Sequence, residues 1–112
     1  MEFRELVLKA KDIKERYAVL NRTENFKPWG LTEYSEGFVG DVGDLMKLVM
    51  AKRGFRYAET DIDSKLAHEL ADCLWSIIVI ADELGINLEQ EFMKTMGDLD
   101  KRIADRDVID NG

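Results

Sequence analysis

Residues 63–83 read Asp63-Ser64-Lys65-Leu66-Ala67-His68-Glu69-Leu70-Ala71-Asp72-Cys73-Leu74-Trp75-Ser76-Ile77-Ile78-Val79-Ile80-Ala81-Asp82-Glu83. Wound at about 100° per residue, the apolar side chains of this stretch cover most of a helix circumference. A helix apolar nearly all round belongs at the centre of a packed domain. Asp63 or Ser64 can cap its start, and Gly85 its end. Glu69 and Asp72 interrupt the pattern. They are three apart and share a stripe with Ser76, flanked one turn on by Val79 and Ile80. Two ionised carboxylates are costly to bury without partners. The cations close by on this helix are Lys65 and His68.

Working outward, a first helix is expected from about Glu2 to Leu20, with Phe3, Leu6, Val7, Ala10, Ile13, Tyr17 and Leu20 on one apolar stripe. Asn21 and the Arg22-Thr23-Glu24-Asn25 run end it. The loop Phe26-Lys27-Pro28-Trp29-Gly30 holds the only proline, which disfavours helix at Lys27. A second helix should start near Thr32 or Ser35 and reach Lys52 or Arg53, with Gly54 as its cap. Gly37, Gly40 and Gly43 lie inside it, each costing about 1 kcal/mol relative to alanine. Close helix packing, or room for a ligand or metal, would explain them. After a connector over 55–62 and the central helix, a fourth helix runs from Asn87 to about Asp105. The polar tail, 107–112, is expected to fray. There is no strand-like alternation, internal repeat or linker. The reading is one all-α domain over residues 1–112, a four-helix antiparallel bundle.

Composition narrows the function. One domain is the natural content of 112 residues, and 46% hydrophobic residues can build a core, which argues against disorder. Twenty-three acidic against sixteen basic residues give a net charge of −7, so general nucleic-acid binding is not expected. Small anionic ligands held through a metal ion remain open. The single cysteine, Cys73, permits no intrachain disulfide framework and fits a reducing cytoplasm. The N-terminus lacks the pattern of a secretory signal. The longest apolar stretch, Leu74 to Ala81, is far short of the ~20 residues that span a bilayer. A cytoplasmic protein with no membrane partner is expected. A small core also favours association into an oligomer.

On the second helix, Tyr34, Phe38, Val39, Val42, Leu45, Met46, Leu48 and Val49 form a broad apolar face. Asp41 falls inside that face and Asp44 on its edge. Two helices thus aim acidic pairs with i, i+3 spacing, Asp41-x-x-Asp44 and Glu69-x-x-Asp72, at a common interior. A divalent cation resolves the mutual repulsion of four carboxylates. All-oxygen ligation suits Mg²⁺ and Mn²⁺ better than zinc. The plainer alternative is acids on solvated or salt-bridged helix edges.

These motifs resemble the MazG-like nucleotide pyrophosphohydrolases of the all-α NTP pyrophosphatase superfamily. Gly40-Asp41-Val42-Gly43-Asp44-Leu45 is similar to that family's E-x-G-E-L. His68-Glu69-Leu70-Ala71-Asp72-Cys73-Leu74-Trp75 is similar to its E-L-A-D stretch, and Ala81-Asp82-Glu83-Leu84-Gly85-Ile86-Asn87-Leu88 to its A-x-x-L-G-I-D-L junction. The likeness covers about Trp29 to Arg102. It departs at the first motif, where aspartates stand for both glutamates, a shortening to which Mg²⁺ geometry is sensitive.

The resemblance implies a four-helix MazG-like bundle completed by oligomerisation, as a homodimer or a dimer of dimers. It implies Mg²⁺-dependent hydrolysis (Mn²⁺ as a substitute) of an NTP or dNTP to the monophosphate and pyrophosphate, removing unwanted nucleotides. Asp41, Asp44, Glu69 and Asp72 would be the metal ligands and catalytic acids. Lys94, Lys101 and Arg102 on the fourth helix could reach the phosphates, with Asp98 a further acid by analogy. Trp29 or Phe26 could stack on a nucleobase. Phosphoribosyl-ATP is an alternative substrate. A catalytically weak or inactive nucleotide- or metal-binding protein, owing to Asp-x-x-Asp, and a structural helical module are the rival readings. A single histidine without a Glu-x-x-His pair argues against a di-iron site. Cys73 reads as packing, and no P-loop, dinucleotide fingerprint or nucleophile elbow is present.

Overall fold

Four helices carry the chain: α1 (Phe3–Thr23), α2 (Leu31–Lys52), α3 (Ile62–Glu83) and α4 (Leu88–Asn111). The structure is a computed structural model that describes residues 1–58 and 60–111, with side chains described through Asp107 and no strand among the described residues. Three helix ends close by one device. Asn25, Gly54 and Gly85 all adopt positive φ. After α1, Phe26 N–H donates to the Asn21 carbonyl at 2.8 Å and Asn25 N–H to that of Arg22 at 3.2 Å. Phe55 to Met50 and Ile86 to Ala81 repeat the longer bond, both at 2.9 Å. This is the Schellman closure, which satisfies carbonyls that a helix end would otherwise orphan.

Helix starts differ from the sequence expectation. Neither Thr32 nor Ser35 caps α2; it begins at Leu31, where the Glu33 carboxylate accepts from Gly30 N–H at 3.4 Å. That is half of a capping box, with the acid reaching back. α3 begins at Ile62, after Asp61 in the left-handed region at φ 64°. The backbone of α4 runs from Leu88 to Asn111.

α2 and α3 share the most extensive interface, and α1 lies on α3. The α2–α3 pair is antiparallel. Lys52, at the end of α2, pairs with Asp63, at the start of α3, at 2.7 Å. Asp41 meets Ser76, and Tyr34 packs edge-on against Trp75. Most of the core comes from α3, through Cys73, Ser76, Ile78, Val79 and Ala81, as its apolar circumference predicts. Ala10, Tyr34 and Ala51 complete it.

Polar contacts pin α1 to this pair. The Trp75 indole N–H donates to the Ala10 carbonyl at 3.2 Å. Lys14, little exposed, reaches Asp82 at 2.9 Å and Glu83 at 2.7 Å. Burial pulls the Lys14 pKa down, but hydrogen bonds and charge from Glu83 and Asp82 outweigh it and hold it above the ordinary value. The hydrogen bond from Lys14 in turn holds Asp82 below the usual carboxylate range.

α4 stands apart. Among the described residues it makes no extended packing surface with the other helices. Phe92, Met93, Leu99 and Ile103 are all exposed along it. The radius of gyration is 18.5 Å, against about 13 Å for a compact chain of this length. α3 likewise keeps one side uncovered, at Leu70, Leu74 and Ile77. Within one chain the four helices are therefore not a closed bundle. Gly40 and Gly43 do not mark close packing here either, since a Cβ at either would meet nothing within 4 Å, whereas one at Gly37 would touch the Trp29 ring at 4.0 Å.

No helix among the described residues is long and apolar enough to cross a membrane.

Candidate metal centre and the adjoining cleft

The i, i+3 spacing of Glu69 and Asp72 sets them one above the other on α3. The antiparallel register sets Asp41, in the middle of α2, against both. One carboxylate oxygen from each lies within 4.8 Å of the others, and all three residues are half-buried. Ser76, one turn beyond Asp72, donates its hydroxyl to Asp41 Oδ2 at 3.3 Å. His68 Nε2 lies 3.2 Å from Asp72 Oδ2. Glu69 Oε2 is buried and has no hydrogen-bond partner among the described residues.

Electrostatics follow from this crowding. Burial raises the Glu69 pKa, and the charges of Asp72, Asp41 and Asp44 raise it further, with His68 opposing. Burial first, then the charges of Asp41, Glu69 and Asp72, also pushes the Cys73 thiol up, so it is an inert packing group rather than a nucleophile. Three convergent oxygens with one unsatisfied atom form a donor set that fits a hard divalent cation. The ion would supply the positive charge that the cluster lacks.

Asp44 sits elsewhere. It is exposed, outside the triad, on a shallow depression shared with Lys47, Ser64, Lys65, His68 and Glu69. The four acids expected at one interior are therefore three converging carboxylates and a fourth beside them.

On the other side of Asp41 and Asp72 opens a cleft of ≈ 670 Å³. Tyr17, Trp29, Tyr34 and Trp75 line it with aromatic surface, and Gly37, Asn21, His68 and Ser76 complete its walls. Trp29 crosses Tyr34 edge-on with centroids 5.6 Å apart, and Tyr17 and Tyr34 flank Trp75 at 6.4 and 6.1 Å. The structure thus brings Trp29 to the acids, though it remains 53% exposed. Phe26 is exposed and does not line the cleft. Lys94, Asp98, Lys101 and Arg102 are exposed on α4 and line neither opening. Sequence reasoning missed Asn21, read as a helix terminator, and Tyr17 and Tyr34, read as generic apolar positions. The signal was Tyr17 and Asn21 at i, i+4 on one face of α1.

Comparison with protein-family models, with curated proteins and with solved structures finds no match for this chain.

Proposed function

We propose that this protein is a Mg²⁺-dependent nucleoside triphosphate pyrophosphohydrolase of the MazG-like kind, releasing pyrophosphate and leaving the monophosphate. The observation that carries this reading is the buried, partnerless Glu69 Oε2 in a carboxylate triad whose other two members, Asp41 and Asp72, line an aromatic cleft. An unpartnered carboxylate oxygen among like charges is destabilising unless a cation completes it. The aromatic side chains of the adjoining cleft would supply stacking surface for a nucleobase.

Asp41, Glu69 and Asp72 would hold the ion, with Mn²⁺ as a substitute. When bound, the ion supplies charge neutralisation for phosphates and a more acidic water. The chain's own residues do the positioning. Ser76 fixes one carboxylate oxygen of Asp41, and His68 fixes Asp72 while standing at the border of both openings. Lys47 and Lys65, which line the depression shared by Asp44 and Glu69, would add positive charge near the phosphates. Positioning and electrostatics carry most of phosphoryl transfer.

The protein would act as a homodimer or a dimer of dimers, which would complete the bundle. Val39, Val42, Met46 and Val49 form an exposed stripe on α2, and Leu70, Leu74 and Ile77 one on α3. With the free face of α4, these are surfaces that a second copy would cover. Oligomerisation would also be the route by which Lys94, Lys101 and Arg102 could approach a cleft.

The test is pyrophosphate release from a panel of NTPs and dNTPs with Mg²⁺ or Mn²⁺, in parallel with Glu69→Gln. Release that the variant loses supports the hydrolase. Folded protein that binds Mn²⁺ and nucleotide but releases nothing would instead be a binding protein on this fold.

A further inference from the structure

The cleft contains one carboxamide side chain, a paired donor and acceptor with no protein partner among the described residues. Asn21 lies on the last turn of α1, one turn beyond Tyr17, and both line the cleft. Its backbone carbonyl is used, accepting from Phe26 N–H at 2.8 Å to close the helix. Its side-chain amide makes no hydrogen bond among the described residues. Ser76 is engaged with Asp41 and His68 with Asp72, and the hydroxyls of Tyr17 and Tyr34 belong to the aromatic walls. A half-buried amide held beside four aromatic rings, with nothing to bond, is poised for an external ligand.

We propose that Asn21 is the base-reading residue of this cleft: a nucleobase lies against the Tyr17 and Trp29 surfaces and presents its hydrogen-bonding edge to the Asn21 amide. This rests on the nucleotide reading given above. Stacking is indifferent to which base is stacked, because every base has a π-face. A carboxamide is not indifferent, since its fixed pair of one acceptor and one donor matches some base edges and misses others. The aromatic walls therefore supply affinity and Asn21 the discrimination. Placing the reader on the closed end of α1 holds it on a rigid element while α3 and α2 hold the acids.

Both tryptophans of the chain, Trp29 and Trp75, line this cleft, so their fluorescence reports on it directly. The experiment titrates the full chain with adenosine, guanosine, cytidine and uridine monophosphates in the presence of Mg²⁺. It compares wild type with Asn21→Ala and Asn21→Asp, each checked for helix content by circular dichroism. Wild type should show a spread of about tenfold or more in Kd across the four bases, the worth of one well-placed hydrogen bond. Asn21→Ala should collapse that spread. Asn21→Asp, an acceptor without a donor, should shift the ranking toward guanine, whose edge offers adjacent N–H donors. An Asn21→Ala protein that keeps the wild-type ranking and spread overturns the proposal, as does the absence of quenching by any monophosphate. Base-dependent binding that needs Asn21, from a protein that releases no pyrophosphate, sinks the hydrolase reading and leaves this one standing. Pyrophosphate release with an unchanged base ranking in the Asn21 variants does the reverse.

Discussion

Neutralising Glu69 should stabilise the metal-free protein and abolish its response to metal. Three carboxylate oxygens lie within 4.8 Å of one another, giving three repulsive pairs, of which Glu69→Gln removes two. At that separation a pair of unit charges costs roughly 3.5 kcal/mol at an effective dielectric of about 20 and roughly 0.9 kcal/mol in bulk water. The three residues are half-buried, so the lower part of that range applies. Protonation of Glu69 relieves some of it. A net gain of about 1–3 kcal/mol is expected, or roughly 5–12 °C in Tm for a chain of this size. The sign depends on pH. A carboxyl whose pKa is raised by folding binds its proton more tightly in the folded state. Its favourable contribution is complete below the ordinary carboxylate range and is lost as pH rises through the raised value. The stabilisation by Glu69→Gln should therefore be present at neutral pH and vanish in acid. Wild type should instead gain about 2.7 kcal/mol from Mg²⁺ or Mn²⁺ at ~100 times Kd. Scanning calorimetry of both proteins, with and without metal, decides it. A wild-type Tm indifferent to either ion, together with a Glu69→Gln protein that melts lower than wild type, would refute the electrostatic reasoning.

Further outcomes follow from the same geometry. Asp41→Asn should remove most of the metal-induced rise in Tm, whereas Asp44→Asn, outside the triad, should keep most of it; calorimetric titration with Mn²⁺ checks the difference. Lys14→Met should cost about 2 kcal/mol by stranding Glu83 and leaving Asp82 with Lys11 alone, at 3.4 Å. Because Asp82 is held low, its contribution is present above the ordinary carboxylate range and lost as pH falls through the lowered value. Urea melts should accordingly show the gap between wild type and Lys14→Met narrowing in acid. Sedimentation equilibrium should return a multiple of the 12.9 kDa chain mass, and Val39→Glu, at a position 71% exposed in one chain, should lower it.

The helices and their ends were legible in the sequence where one residue decides a local energy. Gly54 and Gly85 stop α2 and α3 because their φ of 84° and 67° suits glycine. The start of α2 was harder to read, because Thr32 and Ser35 are better caps than Gly30 and the reach of Glu33 back to Gly30 overrides them. Helical periodicity put Glu69, Asp72 and Ser76 on one stripe and Asp41 toward the same interior, and they meet. It could not separate Asp44 from that group, since a helical wheel gives direction but not distance to a neighbouring helix. Nor could it find the cleft, whose walls join residues from α1, α2, α3 and the loop at Trp29. The position of α4 was also hidden. Its stripe of Phe92, Met96, Leu99 and Ile103 has the period of a packed helix, and periodicity does not say whose helix it packs on.

The most direct test is pyrophosphate release in a coupled assay, using wild type and Glu69→Gln matched for fold and for nucleotide monophosphate binding. The expected result is Mg²⁺- or Mn²⁺-dependent release from at least one NTP or dNTP by wild type, and loss of at least a hundredfold, about 2.7 kcal/mol in the barrier, in the variant. Equal rates from the two proteins, or no release by folded wild type with any nucleotide and either metal, would contradict a catalytic centre built on Asp41, Glu69 and Asp72.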